Sequence, residues 1–199
     1  MAVAADSTGA PVLNVANYLT IGRIALVPVF VAIFFIDGAH DDGWRVAAWA
    51  VFAIASVTDR IDGDIARRRG LVTDFGKVAD PIADKALTGA ALISLSIVHE
   101  LPWWVTVVIL AREVGVTMLR FWVIRHGVLA ASRGGKLKTL LQGVSLGLYV
   151  LPLTGWVHEI AVVVMAVAIV ITLVTGGDYV FRALAVRRAG LAVRARRPQ

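Results

Sequence analysis

Six long apolar runs constrain this 199-residue chain more than any other feature. They extend from Asn17 to Ile36, Trp44 to Ile65, Lys77 to Val98, Pro102 to Ile124, Lys138 to Leu153 and Val157 to Val180. About 20 residues of helix are needed to cross a hydrocarbon core, and all but the short, glycine-rich fifth run reach that length. An open sheet would leave backbone polar groups unpaired in lipid, whereas a helix pairs its own, so the runs are expected as helices. Composition agrees. The chain is 58% apolar with a mean hydropathy of +0.78, against about 45–50% apolar for a soluble domain. The expectation is an all-α integral membrane protein with six transmembrane helices, a short amphipathic N-terminal segment and a basic C-terminal tail.

The charges sort the loops into two sets. Arg67 to Lys77, Arg125 to Lys138 and the tail are strongly basic. Asp37 to Gly43, His99 to Leu101 and Leu153 to His158 contain no lysine or arginine, and Trp44, Trp103, Trp104 and Trp156 lie at their borders. Basic loops stay in the cytoplasm and tryptophans favour the membrane–water boundary. Both termini and the basic loops are therefore expected on the cytoplasmic side of a plasma membrane. Met1 to Pro11 has no basic residue, so it lacks the charged start of a secretory signal, and the first run is expected to be retained. The net charge of +6 suits anionic lipid better than nucleic acid, because no soluble basic domain is visible. Absence of cysteine excludes disulfides, thiolate metal sites and cysteine nucleophiles. Without repeats or long linkers, 1–199 is expected to be a single membrane domain, with 182–199 its basic cytoplasmic tail. Sixteen arginines against four lysines, with abundant alanine and valine, suggest a GC-rich bacterial source.

Between the second and third runs the sequence reads Asp59-Arg60-Ile61-Asp62-Gly63-Asp64-Ile65-Ala66-Arg67. After eight further residues comes Gly76-Lys77-Val78-Ala79-Asp80-Pro81-Ile82-Ala83-Asp84. Asp59 and Asp62 are three apart, Asp80 and Asp84 four apart, so on helices each pair shares a face. A tight turn near Arg69 to Thr73 would bring the two faces to one site. A carboxylate inside a membrane span costs about 2.5–3.5 kcal/mol, and such residues mark functional sites. Four converging carboxylates also repel one another until protons or cations intervene. Hard divalent cations with oxygen ligands do this, and two of them about 4 Å apart form a clamp for displacement at phosphorus. A charged helix end wetted at the interface accounts for one or two aspartates, not for four at helical spacing. Gly63 and Ala66 leave backbone surface open to a flat ligand, and also permit close helix packing. Arg67 offers a planar fork to a phosphate.

This segment resembles the signature of the CDP-alcohol phosphotransferase family, and every fixed position from Asp59 through Asp84 matches. The resemblance implies six membrane helices, a homodimer, and a cytoplasm-facing site for two divalent ions, Mg2+ or Mn2+. It implies Asp59, Asp62 and Asp80 as metal ligands, and Asp84 as a ligand or near-ligand that serves as general base. Gly63, Ala66 and Arg67 would hold CDP-diacylglycerol, whose phosphatidyl group passes to an alcohol.

Three further segments resemble the branch of the family whose acceptor is glycerol 3-phosphate. One is Asn14 to Arg23 followed by Pro28. The second is Asp80-Pro81-Ile82-Ala83-Asp84-Lys85. The third comprises Ala111-Arg112-Glu113 with Arg120, then Gly135-Lys136-Leu137-Lys138-Thr139 with Gln142. Arg112 and Arg120, eight apart, lie on nearly one helix face. With Lys136 and Lys138 they are candidates for a cationic pocket that takes the acceptor's phosphate. Each lysine is alternatively a positive-inside anchor, and Arg112 is alternatively half of a buried ion pair with Glu113. The expected products are phosphatidylglycerophosphate and CMP. Inositol phosphate, or phosphatidylglycerol as in a cardiolipin synthase, remains an alternative acceptor because the aspartate motif is shared. A small cation transporter would scatter its acids over several spans and break its helices, and a structural subunit has no use for the aspartates.

Overall fold

The computed structural model describes residues 15–69, 74–123 and 133–195, and the side chains of 18–59, 82–119 and 137–185. Among them are six α-helices and no strand. They are α1 (Val15–Phe34), α2 (Asp42–Arg69), α3 (Asp74–Ile97), α4 (Trp103–Val123), α5 (Arg133–Val150) and α6 (Trp156–Ala195). Each coincides with one of the expected runs. The fifth begins five residues before the expected Lys138, because helix hydrogen bonding continues through the basic residues that end the apolar pattern. Likewise α6 does not stop with the apolar run. Its 40 residues span about 60 Å, twice the thickness of a hydrocarbon core. Arg182 pairs with Asp178 one turn earlier at 2.9 Å, supporting the helix where the apolar pattern ends. The N-terminal segment, the turn at 70–73 and the end of the tail lie outside the described residues.

The chain divides into two compact units. The first comprises the chain as far as Ser94 together with Val150–Pro152. Its core is a seam between α1 and α2. Phe30 and Phe34 from α1 meet Phe52 from α2, with Phe30 and Phe52 ring centroids 6.0 Å apart, and Ala48 and Ala55 are fully buried beside them. Along α2 the buried positions fall at Arg45, Ala48, Phe52 and Ala55, a three–four alternation that keeps one stripe on the seam. Arg45 lies over the Phe34 ring at 5.7 Å and donates from Nε to the Val150 carbonyl at 3.1 Å. That carbonyl is one of the helix-end acceptors that α5 cannot pair itself.

The turn joining α1 to α2 runs Asp37-Gly38-Ala39 through left-handed backbone, with φ of 54°, 66° and 67°. Such a reversal needs residues that tolerate positive φ, which Gly38 does without cost and Asp37 at little. Asp41 then caps α2, its carboxylate accepting from the Trp44 amide at 2.8 Å.

The second unit comprises Leu95–Tyr149 together with the chain from Leu153 onward. Here α4 packs on α6, and polar side chains tie the helices together. Ser96 and Thr106 share a hydrogen bond of 2.7 Å, and Ser145 of α5 donates to the Ala161 carbonyl of α6 at 3.1 Å. The end of α3 closes on itself. The Glu100 amide donates to Leu95 and the His99 amide to Ser96, with His99 at φ 61° in the left-handed position that ends many helices.

Charged and polar side chains are buried beside the apolar core, and large apolar ones are exposed. Arg23, Arg45, Lys138, Gln142, Thr20, Thr106 and Thr172 are buried, while Ile54, Ile82, Val107, Met118, Val163, Val170, Val174 and Phe181 are exposed. The four border tryptophans are all exposed and stand in the first turns of α2, α4 and α6. By length and composition, Trp156–Ala185 is the one described helix that can cross a membrane, and Tyr18–Phe34 is a shorter apolar helix. The other helices carry the charges discussed below, which lower their apolar character without shortening them.

Candidate active site

In the first unit the buried stripe of α2 ends on a carboxylate. Asp59 follows Ala55 by four residues and continues the alternation from Arg45. The same spacing reaches Asp62 and Ala66 in the sequence. The stripe of α3 behaves alike: Leu87, Ala91 and Ser94 are buried, and Asp84, three residues before Leu87, is half-buried. Each helix thus turns from apolar to acidic along one face. Asp59 and Asp62 belong to one helix and Asp80 and Asp84 to the next, as the spacing predicts.

Asp59 is held from α1. Arg23 donates from Nη1 to its Oδ1, and the Arg23 side chain is 1% exposed against 34% for Asp59. Arg23 shares a face with buried Thr20, Phe30 and Phe34, so the packing that forms the seam also delivers the guanidinium. A carboxylate bonded to a buried guanidinium is fixed in direction. Among the described residues this face offers aspartate oxygens, and the sequence has no cysteine. That donor set fits a hard divalent cation rather than a soft one. The side chains of Asp62, Gly63, Ala66, Arg67 and Asp80 lie outside the described residues. Among the described ones no three acidic or histidine groups gather.

In the second unit the structure brings together Arg112 and Lys138 of the expected basic set, through Glu113. Arg112 donates from Nη1 to Glu113 Oε1 at 3.1 Å, and Lys138 Nζ donates to the same oxygen. From α6, Thr175 Oγ1 accepts from Arg112 Nη2 at 3.2 Å. The Lys138 side chain is 4% exposed, which does not suit an anchor lying in the interface. Two cations thus meet at one carboxylate in a largely buried place. The side chains of Arg120 and Lys136 lie outside the described residues.

Arg23 and Thr175 are the residues that sequence reasoning passed over as site members. Arg23 had a signal, being the single charge in the run Tyr18–Phe34 and therefore expensive there. Thr175 had almost none, since a lone threonine in an apolar helix usually bonds its own backbone. It does so here as well, donating to the Ile171 carbonyl at 2.6 Å.

Residues 13–174 match the description of the CDP-alcohol phosphatidyltransferase family. A probable phosphatidylglycerophosphate synthase of Mycobacterium tuberculosis is 58% identical over 175 residues, 88% of this chain and 84% of that protein. A CDP-diacylglycerol–glycerol-3-phosphate 3-phosphatidyltransferase of Bacillus subtilis is 39% identical, over 83% of this chain and 93% of its own length. One of the same description from Shigella flexneri is 36% identical, over 80% and 89%. The aspartate-bearing helices, the family match over most of the chain and the relatives agree: this chain belongs to the CDP-alcohol phosphatidyltransferase family.

Proposed function

We propose that the chain transfers the phosphatidyl group of CDP-diacylglycerol to glycerol 3-phosphate, giving phosphatidylglycerophosphate and CMP. The observation that carries the acceptor is the agreement among relatives: proteins from 58% down to 36% identity bear names for this one reaction. The aspartate motif alone supports the reaction class and leaves the alcohol open.

Asp59, Asp62, Asp80 and Asp84 would hold two divalent cations, Mg2+ or Mn2+, which when bound neutralise charge on the pyrophosphate and on departing CMP. The work of the chain's own residues is then divided. Asp84 takes the proton from the primary hydroxyl of glycerol 3-phosphate. Arg23 keeps Asp59 aimed. Gly63 and Ala66 admit the cytidine, and Arg67 pairs with a phosphate of CDP. Arg112, Arg120, Lys136 and Lys138 bind the phosphate of the acceptor.

The protein is read as a multi-pass bacterial plasma-membrane enzyme with six spans, and with both termini and the active site on the cytoplasmic side. Exposed apolar faces on every helix and buried charges support that reading, because a chain folded in water rarely exposes broad apolar faces or buries charges. So do the exposed tryptophans opposite the basic loops. A homodimer in surrounding lipid completes the proposal.

The test is CMP release by purified protein with CDP-diacylglycerol and Mg2+, each candidate alcohol offered separately. Release with glycerol 3-phosphate is expected. Release with inositol phosphate but not with glycerol 3-phosphate would overturn the acceptor.

A further inference from the structure

We propose that Thr175 and Gly176 of α6, with Glu113 of α4, form a seat that fixes the Arg112 guanidinium and sets the affinity for a phosphate-bearing acceptor. The proposal rests on the reading that Arg112 contacts that phosphate. The family match ends at residue 174, so Thr175 and Gly176 lie just beyond it.

Three observations converge on one side chain. Glu113 takes Nη1 and Thr175 takes Nη2, at 3.1 and 3.2 Å. The Thr175 hydroxyl hydrogen is already committed to the Ile171 carbonyl at 2.6 Å, so its oxygen is left to accept from Arg112. At Gly176 an added Cβ would stand 3.2 Å from Arg112 Cγ and 3.7 Å from Nε. The arginine stem therefore lies against bare α6 backbone, and a methyl group there displaces it.

The seat leaves chemistry unspent. Arg112 Nε is buried with no hydrogen-bond partner, a donor that a bound anion would satisfy. Glu113 faces Lys138 as well as Arg112, so two cations meet at one carboxylate. A purely structural contact would leave no donor of Arg112 idle. Arg112 and Glu113 are each 15% exposed, enough for a small ligand to reach them. A phosphate monoester supplies the missing acceptor, and the seat makes the guanidinium wait in one place for it.

The experiment is a Michaelis analysis of purified protein against each substrate in turn. Arg112→Lys is expected to raise the KM for glycerol 3-phosphate about a hundredfold, and Gly176→Ala and Thr175→Val about tenfold, through misplacement of a charged hydrogen bond. The KM for CDP-diacylglycerol should stay within about twofold in all three, and Thr175→Ser should restore the native value, since its hydroxyl is kept. An unchanged glycerol 3-phosphate KM in Arg112→Lys would sink the phosphate-contact reading itself. A raised value there with native values in Gly176→Ala and Thr175→Val would overturn the seat alone. So would a parallel rise in both KM values, the mark of a merely structural role. If Gly176→Ala does not fold, the Thr175→Val and Thr175→Ser pair decides.

Discussion

Arg23 and Arg112 are both arginines inside largely apolar helices, and each meets a carboxylate, yet the two arrangements differ. In the first unit Arg23 meets Asp59, and the acid is the more exposed partner, 34% against 1%. In the second, Arg112 and Lys138 both meet Glu113. The first arrangement presents a carboxylate outward. The second gathers two cations on one acid. A buried ion pair contributes little net stability after desolvation, and breaking one by removing a single partner is what costs. The two clusters therefore differ in which group lies nearer solvent and in whether two cations share an acid.

Five substitutions break or sharpen that contrast. Asp84→Asn removes the proposed base and should lower CMP release by about a thousandfold while the circular dichroism spectrum stays native; a wild-type rate would remove Asp84 from that role. Arg23→Met strips Asp59 of its cation. A loss of about 3 kcal/mol is expected, the low end for a broken buried pair because Asp59 is partly solvated, together with reduced turnover. Thermal unfolding in detergent checks it, and unaltered stability would mean that the pair serves geometry alone.

The second unit should respond unequally to its two partners. Glu113→Gln removes the carboxylate that both cations meet and should cost about 2–3 kcal/mol. Lys138→Met leaves Glu113 its contact with Arg112 and should cost about 1 kcal/mol. Equal losses would contradict that ordering, and a double-mutant cycle measures the coupling directly. Smallest is Ser145→Ala, which deletes an uncharged tie between α5 and α6 in the same unit. About 0.6 kcal/mol is expected, as for interhelical hydrogen bonds elsewhere in membranes, with both KM values native.

Much of this was legible beforehand, and for a local reason. Whether a segment is a helix depends on its own apolar content and backbone pairing, so the six runs could be read directly, to within a few residues at most ends. Asp59 with Asp62, and Asp80 with Asp84, could be placed pairwise on α2 and α3 because three and four residues are one helical turn. The end of α5 nearest Lys136 was misjudged for the converse reason: hydropathy falls where the basic residues begin, but helical hydrogen bonding does not.

The balance of charge was not legible. Arg23 finds Asp59 across 36 residues of chain, Lys138 finds Glu113 across 25, and Arg112 finds Thr175 across 63. Periodicity tells which face of a helix a residue occupies; it does not tell which face of another helix will meet it. Glu113 beside Arg112 was visible as a pair of neighbours, but its second cation was not. Gly176 looked like one more small residue in an apolar helix, until packing laid the stem of Arg112 against it.

By itself, then, the sequence determined the helices, the acid-bearing pair among them and the chemistry that those acids can support, because all three follow from spacing within single segments. Tertiary structure alone decided that one arginine would steady an acid while another would share its acid with a lysine. Those outcomes depend on long-range packing, where helix faces meet and burial makes every unmatched charge count.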